Sequence, residues 1–453
     1  MEDRPYLHEI AAGQKRGEAR GIHSVCSANR YVIEAALLQG IEDESMVLIE
    51  STCNQVNQFG GYTGMKPEEF NRFVLGAAAS LGFPVERLIL GGDHLGPYPF
   101  RHDPFEQAMA KTIDMVKSFV HAGNTKIHID ASYRISDEPV EKGGGLSPRT
   151  IAERCGLLCR HAEEAFVEHR ARNPKAAAPV YVIGTEVPAP GGSETREPED
   201  RITKVADFEE TVALTRSAFR KEKIDGAWER VVAVVVEPGV EYGNQTILEY
   251  DRTRTRALAA ALTRCESLIF EAHSTDYQPT RVLKQMVEDG FAILKTGPVQ
   301  TAAVREAVFM LARIEEECFG GKRGGRSKSA GLSRFVETLD RVMVEKPVHW
   351  KGHYREGDAA FQRKYSFFDR QRYYWSEKPV LEALDRLIAN LRSIDIPLAL
   401  LSQFLPEQYK KVQAGLLDRD PESLIRDRAM DHMREYAWAV GNRKAAAVDW
   451  WSV

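Results

Sequence analysis

Eight short runs of apolar and β-branched residues recur along the chain, and helix-patterned segments separate them. The runs are IHSVC (22–26), MVLIE (46–50), RLILGG (87–92), TKIHID (125–130), VYVIG (180–184), VVAVVVE (231–237), SLIFEA (267–272) and FAILK (291–295). Near-continuous apolar runs suit strands covered on both faces, and helices between them imply parallel connections. The spacers carry start and stop signals. Ser27 or Asn29 precedes RYVIEAALLQG, and Pro67 opens PEEFNRFVLGAAASLG, which stops at a glycine. Eight such units over about 280 residues predict a (β/α)8 TIM barrel. A doubly wound open sheet competes, but no G-x-G-x-x-G follows the first strand.

Beyond Thr301 the pattern changes. VREAVFMLARIEEECF reads as the barrel-closing helix, so the barrel is expected over 1–319. GGKRGGRSKSAGLSR (320–334) has almost nothing to bury and reads as a flexible basic loop. Residues 335–453 keep helical periodicity with aromatic clusters, which predicts an α-helical appendage.

Composition narrows the setting. The 453 residues are 43% apolar and 28% charged, with a formal net charge of -5, which gives no electrostatic case for nucleic acid or an anionic membrane. Six cysteines are scattered without the density of a disulfide framework; Cys155 and Cys159 are spaced as helix neighbours. No run approaches the roughly 18 apolar residues that span a bilayer, and the charged start MEDRPYLHEIAAGQKRGEAR lacks an apolar signal core. A reduced, soluble, cytoplasmic protein is expected.

Chemistry gathers at the strand ends. The third run delivers Asp93 and His94, and the fourth His128 and Asp130. The fifth runs into GTEVPAPGG with Glu186, and the sixth into EPGVEYGN with Glu237 and Glu241. The seventh ends in EAHSTDYQ with Glu271, His273 and Asp276, and the eighth in Lys295 and Thr296. A lone residue of this kind usually caps a helix, and Asp276 and Asp137 are open to that reading, as Tyr62 and Tyr277 are to simple packing. Five successive strands ending in carboxylate or imidazole point instead to one mouth. Gly91 and Gly92 are expected to turn the backbone tightly there. Imidazoles and carboxylates suit a divalent transition metal, with His94 and His273 as ligands and Glu237 as the third; Asp130 and Glu241 are alternates.

These stretches resemble the GatZ/KbaZ-like family, the Z-type subunits of tagatose-bisphosphate aldolase. The likeness runs through SVCSAN, IESTCNQVNQFGGYTGM, LILGGDHLGP, TKIHIDAS, GTEVPAPGG, EPGVEYGN, FEAHSTDYQ and FAILKTGP. It continues in the appendage with YSFFDRQRYYW (365–375) and IPLALLSQFLP (396–406). The resemblance implies a barrel like that of class II, zinc-dependent ketose-bisphosphate aldolases, and a role as the non-catalytic partner of a catalytic aldolase subunit. Some relatives are metal-dependent ketose or ketose-phosphate 4-epimerases, and others carry an older label of tagatose-6-phosphate kinase. Asp93 and His94 match the Asp-His pair of class II aldolases, and His273 matches their histidine after strand seven. The histidine expected after strand six is replaced by Glu237-Pro238-Gly239, and the glycine-serine phosphate loop by Ser274-Thr275-Asp276.

The resulting expectation is a metal-dependent ketose or ketose-phosphate 4-epimerase working by retro-aldol cleavage and re-addition; the alternative is a non-catalytic stabilising subunit. Asp93, Asp130 and Glu186 would move protons; His94, Glu237 and His273 would hold zinc; His128, Asp276, Lys295 and Arg370 would bind the ketose or its phosphate. A homo-oligomer is expected. The kinase reading finds no G-x-x-x-x-G-K-[ST] to cradle a nucleotide.

Overall fold

Eight parallel strands close on themselves: β1 (Ile22–Cys26), β2 (Val47–Thr52), β3 (Leu88–Leu95), β4 (Lys126–Ile129), β5 (Val180–Ile183), β6 (Val231–Val235), β9 (Ile269–Ala272) and β10 (Phe291–Thr296). A two-stranded antiparallel hairpin, β7 (Glu241–Tyr242) and β8 (Ile247–Leu248), interrupts the connection after β6. The computed structural model describes residues 5–139, 145–184, 202–320 and 331–442. The barrel is the one expected, and each strand overlaps its apolar run. The helix signals hold too: Asn29 accepts the N–H of Tyr31 to cap helix Arg30–Asp43, and helix Pro67–Leu81 ends at Gly82 in a left-handed turn. Most of the basic loop, 321–330, lies outside the described residues.

The strand runs look uniformly apolar but are not uniform inside the barrel. Ser24, Glu50, Lys126, His128, Glu271 and Lys295 are all buried among the strands. The outer faces of the strands meet helices and stay apolar; the closed inner face tolerates polar groups only because they pair with one another.

Helices continue after the barrel, and they share its core. Helix Pro421–Ala439 packs against helices Arg30–Asp43 and Pro298–Phe319, with Leu424, Ile425 and Met433 buried. Its Tyr436 stacks on His23 of β1 at 4.2 Å between ring centres and donates its hydroxyl to the Thr275 carbonyl at 2.6 Å. The C-terminal helices therefore brace the loop that follows β9. Among the described residues, no helix is long and apolar enough to cross a membrane. All six cysteines are free thiols.

Candidate metal centre at the barrel mouth

Adjacent residues of a regular strand point to opposite faces, so Asp93 and His94 should not share a site. A register break resolves this. The pairing of β3 with β4 shifts between Gly92 and Leu95, and His94 sits in the left-handed region at φ 50. Such a bulge re-aims side chains, and here both Asp93 and His94 line the mouth. The two preceding glycines act differently from expectation. Gly91 and Gly92 lie within β3, and neither has a positive φ. They make room: a Cβ on Gly91 would stand 2.8 Å from the Glu50 side chain, and one on Gly92 2.7 Å from the Phe119 ring. The tight approach falls at Gly96, where a Cβ would meet the Asp130 carbonyl oxygen at 1.6 Å.

Three imidazoles converge behind this bulge. The ring centres of His94, His128 and His273 lie 4.8 to 5.2 Å apart. Each ring has one nitrogen on a carboxylate. His94 Nδ1 meets Asp130 Oδ2 at 2.9 Å, His273 Nε2 meets Glu271 Oε1 at 2.9 Å, and His128 Nδ1 meets Asp93 Oδ1 at 2.7 Å. His128 Nδ1 also lies 3.2 Å from the His94 backbone N–H, and one nitrogen cannot accept there and donate to Asp93 at once. The shorter, charge-assisted bond to Asp93 wins, which puts the lone pair on Nε2. That Nε2 is buried with no hydrogen-bond partner among the described residues.

Below the imidazoles lies a closed ion network. Lys126 Nζ contacts both Glu50 oxygens at 2.7 and 2.8 Å and Glu271 Oε2 at 2.7 Å. Lys295 pairs with Asp93 and, at 2.5 Å, with Glu271. Burial works against the Lys295 charge, yet Asp93, Glu271 and Glu50 outweigh it and hold the ammonium firmly protonated. Burial would likewise raise Asp93 and Glu271, but neighbouring cations keep both well below the usual carboxylate range. Burial lowers His128 and His273, so those rings are neutral. Burial lowers His94 as well, but Asp93 and Asp130 prevail and leave it raised.

These residues fit a divalent metal. Asp93, His94, His128 and His273 each offer a donor atom, and all four atoms lie within 4.8 Å of one another. Carboxylates on the far nitrogens are the usual way to orient ligand imidazoles. Four carboxylates, Glu50, Asp93, Asp130 and Glu271, stand against the two ammoniums of Lys126 and Lys295 in this buried cluster, a balance that favours a further cation.

The third imidazole donor is thus His128, expected from sequence as a substrate ligand. Glu237, expected in the donor set, is not part of it: it lies half-buried just beyond β6, and its backbone exchanges hydrogen bonds with Thr203. Glu241 sits on the hairpin and accepts the Tyr242 N–H. Asp130, expected to move protons, is held by His94 and by Ser132 at 2.5 Å. Glu186 lies outside the described residues. Asp276 and Asp137 sit at helix N-termini, but not those of the helices that follow them: Asp276 Oδ1 accepts from Gly297 and Val299 at the start of helix Pro298–Phe319, and Asp137 from Phe105 at the start of helix Phe105–His121. Asp276 also lines the mouth, where burial pushes its carboxyl up to about 6. Lys295 is saturated by carboxylates rather than free for a phosphate. Arg370 donates to the His349 carbonyl, and the arginine that lines the mouth is Arg372. Tyr62 and Tyr373 line it too, with ring centres 4.7 Å apart. Sequence gave no cue for Arg372 beyond its place in YSFFDRQRYYW.

Comparison with known proteins agrees with the resemblance read from the motifs. The profile described as D-tagatose-1,6-bisphosphate aldolase subunit GatZ/KbaZ-like matches residues 7–441. The chain belongs to the GatZ/KbaZ-like family. It is 42% identical over 441 residues to the D-tagatose-1,6-bisphosphate aldolase subunit GatZ of Klebsiella pneumoniae, covering 97% of this chain and 100% of that one. The GatZ subunit of Salmonella typhimurium is 42% identical over 432 residues, covering 95% and 98%. A crystal structure described as a probable tagatose 6 phosphate kinase from Sinorhizobium meliloti is 40% identical, with a TM-score of 0.82, covering 93% of this chain and 100% of that one. This GatZ-type homologue therefore has its whole barrel and C-terminal helices in common with its relatives.

Proposed function

We propose that this GatZ-type chain is a metal-dependent 4-epimerase of a ketose or ketose phosphate. One observation carries the reading: three buried imidazoles, each tied to a carboxylate by one nitrogen, cluster with Asp93 so that their donor atoms lie within 4.8 Å of one another, and His94, His273 and Asp93 line the open mouth. Bound there, a divalent ion, zinc by its preference for imidazole, would act as a Lewis acid on the C2 oxygen of the sugar.

The C4 proton of a 2-ketose is not acidic, so inversion without a redox cofactor goes through the C3–C4 bond. The O4 proton passes to a base, C3–C4 breaks, and its electron pair moves toward the C2 carbonyl. The aldehyde fragment then rotates, and the bond re-forms on its other face with return of the proton. Asp93 and Asp276 are the carboxyls that line the mouth. Asp93 is kept ionised by Lys295 and the imidazoles, a poor state for taking a proton, whereas Asp276 near 6 is better matched to that task. Lys295, held protonated by three carboxylates, is not suited to forming a Schiff base, which needs a neutral amine.

The test is the metal-loaded chain alone with fructose 6-phosphate or tagatose 6-phosphate. The C4 epimer should form, and His128→Ala should abolish it. The relatives' description as aldolase subunits favours a second reading, a stabilising partner of a catalytic aldolase. No turnover by the chain alone, together with a longer-lived co-expressed class II tagatose-bisphosphate aldolase, would select it.

A further inference from the structure

The mouth holds one cation that the metal chemistry does not use. Arg372 belongs to the short 3-10 helix Arg370–Tyr374, which the C-terminal segment lays over the barrel opening. Its Nη1 donates to the carbonyls of Phe368 and Asp369, and its Nη2 donates to the Tyr373 hydroxyl at 2.9 Å. Among the described residues, no carboxylate lies within ion-pairing distance of it. Neighbouring arginines differ: Arg305 pairs with Asp369 at 2.8 Å, and Arg363 with Asp340 at 2.7 Å. Asp369 Oδ1 is taken by Arg305, the Asp369 carboxylate forms no ion pair with Arg372, and Arg372 faces a cavity lined by Tyr62, Tyr242 and Tyr373. Arg372 is half-buried, and a guanidinium at a cavity wall with no ion-paired carboxylate is well placed to take an anion from the cavity.

The support under Arg372 is rigid. Phe367 and Ser366 are tied to Asn244 at 3.0 and 2.6 Å, Tyr277 donates to the Phe367 carbonyl at 2.7 Å, and Tyr373 stacks on His349. Gly297 and Pro298 also line the mouth, but the Gly297 and Val299 N–H groups are already spent on Asp276. The other lining cation, Lys295, is saturated. Among the described residues that line the cavity, Arg372 is the guanidinium left without an ion-paired carboxylate.

We infer that Arg372 anchors the phosphate of a phosphorylated ketose at the end of the sugar away from the imidazoles, so the C-terminal segment supplies part of the substrate site. This deepens the epimerase reading and rests on it for the identity of the sugar. It also gives the phosphate a purpose: the aldehyde fragment that must rotate stays tethered.

The experiment separates the two ideas by using a ligand that cannot react. Calorimetry with a hexitol 6-phosphate, which lacks the carbonyl, and with inorganic phosphate should show binding to the metal-loaded full chain. Arg372→Ala should weaken hexitol 6-phosphate by about 10- to 100-fold, the range of a lost charge-assisted pair, and leave a non-phosphorylated ketohexose unchanged. Arg372→Lys should fall between, since it keeps the charge and loses the fork. Unchanged metal content in both variants shows that the barrel is intact. Equal affinity of wild type and Arg372→Ala for the phosphorylated hexitol would overturn the assignment. Should that ligand depend on Arg372 while no epimer forms, the anion site stands and only the epimerase reading falls.

Discussion

Asp93 at the barrel mouth and Asp427 on the C-terminal helix Pro421–Ala439 are both buried carboxylates set against a lysine. Around Asp427 every group is answered: Oδ2 takes Lys411 at 2.7 Å and Gln408 at 2.9 Å, Oδ1 takes Arg434 at 3.1 Å, and Lys411 also reaches Asp431 at 2.6 Å. Around Asp93 each imidazole has one nitrogen on a carboxylate, but His128 Nε2 is buried with no hydrogen-bond partner among the described residues. A saturated network fixes helices; an unsaturated one beside a cavity is built to receive something. Four predictions follow from that contrast.

The largest effect is expected at the imidazoles. His128→Ala should lose stoichiometric metal in elemental analysis, as should His94→Ala and His273→Ala, while Glu237→Gln keeps it. Metal retained in His128→Ala but lost in Glu237→Gln would restore the donor set expected from the motifs and remove the basis of the contrast.

Next comes the closed network. Lys411→Met removes the closest cation from the buried Asp427, leaves it Arg434 alone, and should cost about 3 kcal/mol in urea unfolding, the low end for breaking a buried pair. Metal content should not change. A smaller loss, within about 1 kcal/mol, would place this cluster with exposed pairs instead.

Between the two regions stands Glu271, which touches Lys126 and Lys295 below and His273 above. Glu271→Gln keeps the shape but weakens its hold on the His273 ring. Metal affinity, read by competition with a chelator, should fall about 10- to 100-fold. An unchanged affinity would mean that His273 does not need Glu271 to present its nitrogen.

Much of the mouth was legible in the chain, and what was not has physical reasons. The eight runs marked the strands because both faces of most strand residues are apolar, and His94 and His273 stood out at their ends. Lys126 and Glu50 were hidden inside those runs, since a barrel lets alternate side chains pair across an interior that no local pattern reveals. His128 was visible, but its role depends on a neighbour, Asp93, that fixes its tautomer. The β7–β8 hairpin is too short for periodicity to mark, and a strand-end carboxylate, Glu237, looked like a ligand because distance from the other donors is not a sequence property. Arg372 reaches the mouth by tertiary packing alone: nothing in residues 365–375 says which surface they cover.

The smallest effect tests the same contrast by pH. Burial would raise Asp427, but Lys411 and Arg434 outweigh it and hold its carboxyl below the usual range. A carboxyl depressed in the folded state stabilises fully above its unfolded value of about 3.9, and that contribution is lost as pH falls through the lower folded value. The proton binds the unfolded chain first, so acid favours unfolding. Asp427→Asn cannot titrate. Urea unfolding from pH 6 to 3 should therefore show wild type losing stability more steeply than the variant below about pH 4, with parallel curves above. Carboxylates outside this cluster titrate alike in both proteins, so the difference between the curves reports Asp427 together with its neighbour Asp431. Curves that stay parallel down to pH 3 would mean that Lys411 and Arg434 gain nothing from an ionised Asp427, and the cluster could no longer stand as the saturated counterpart of the mouth.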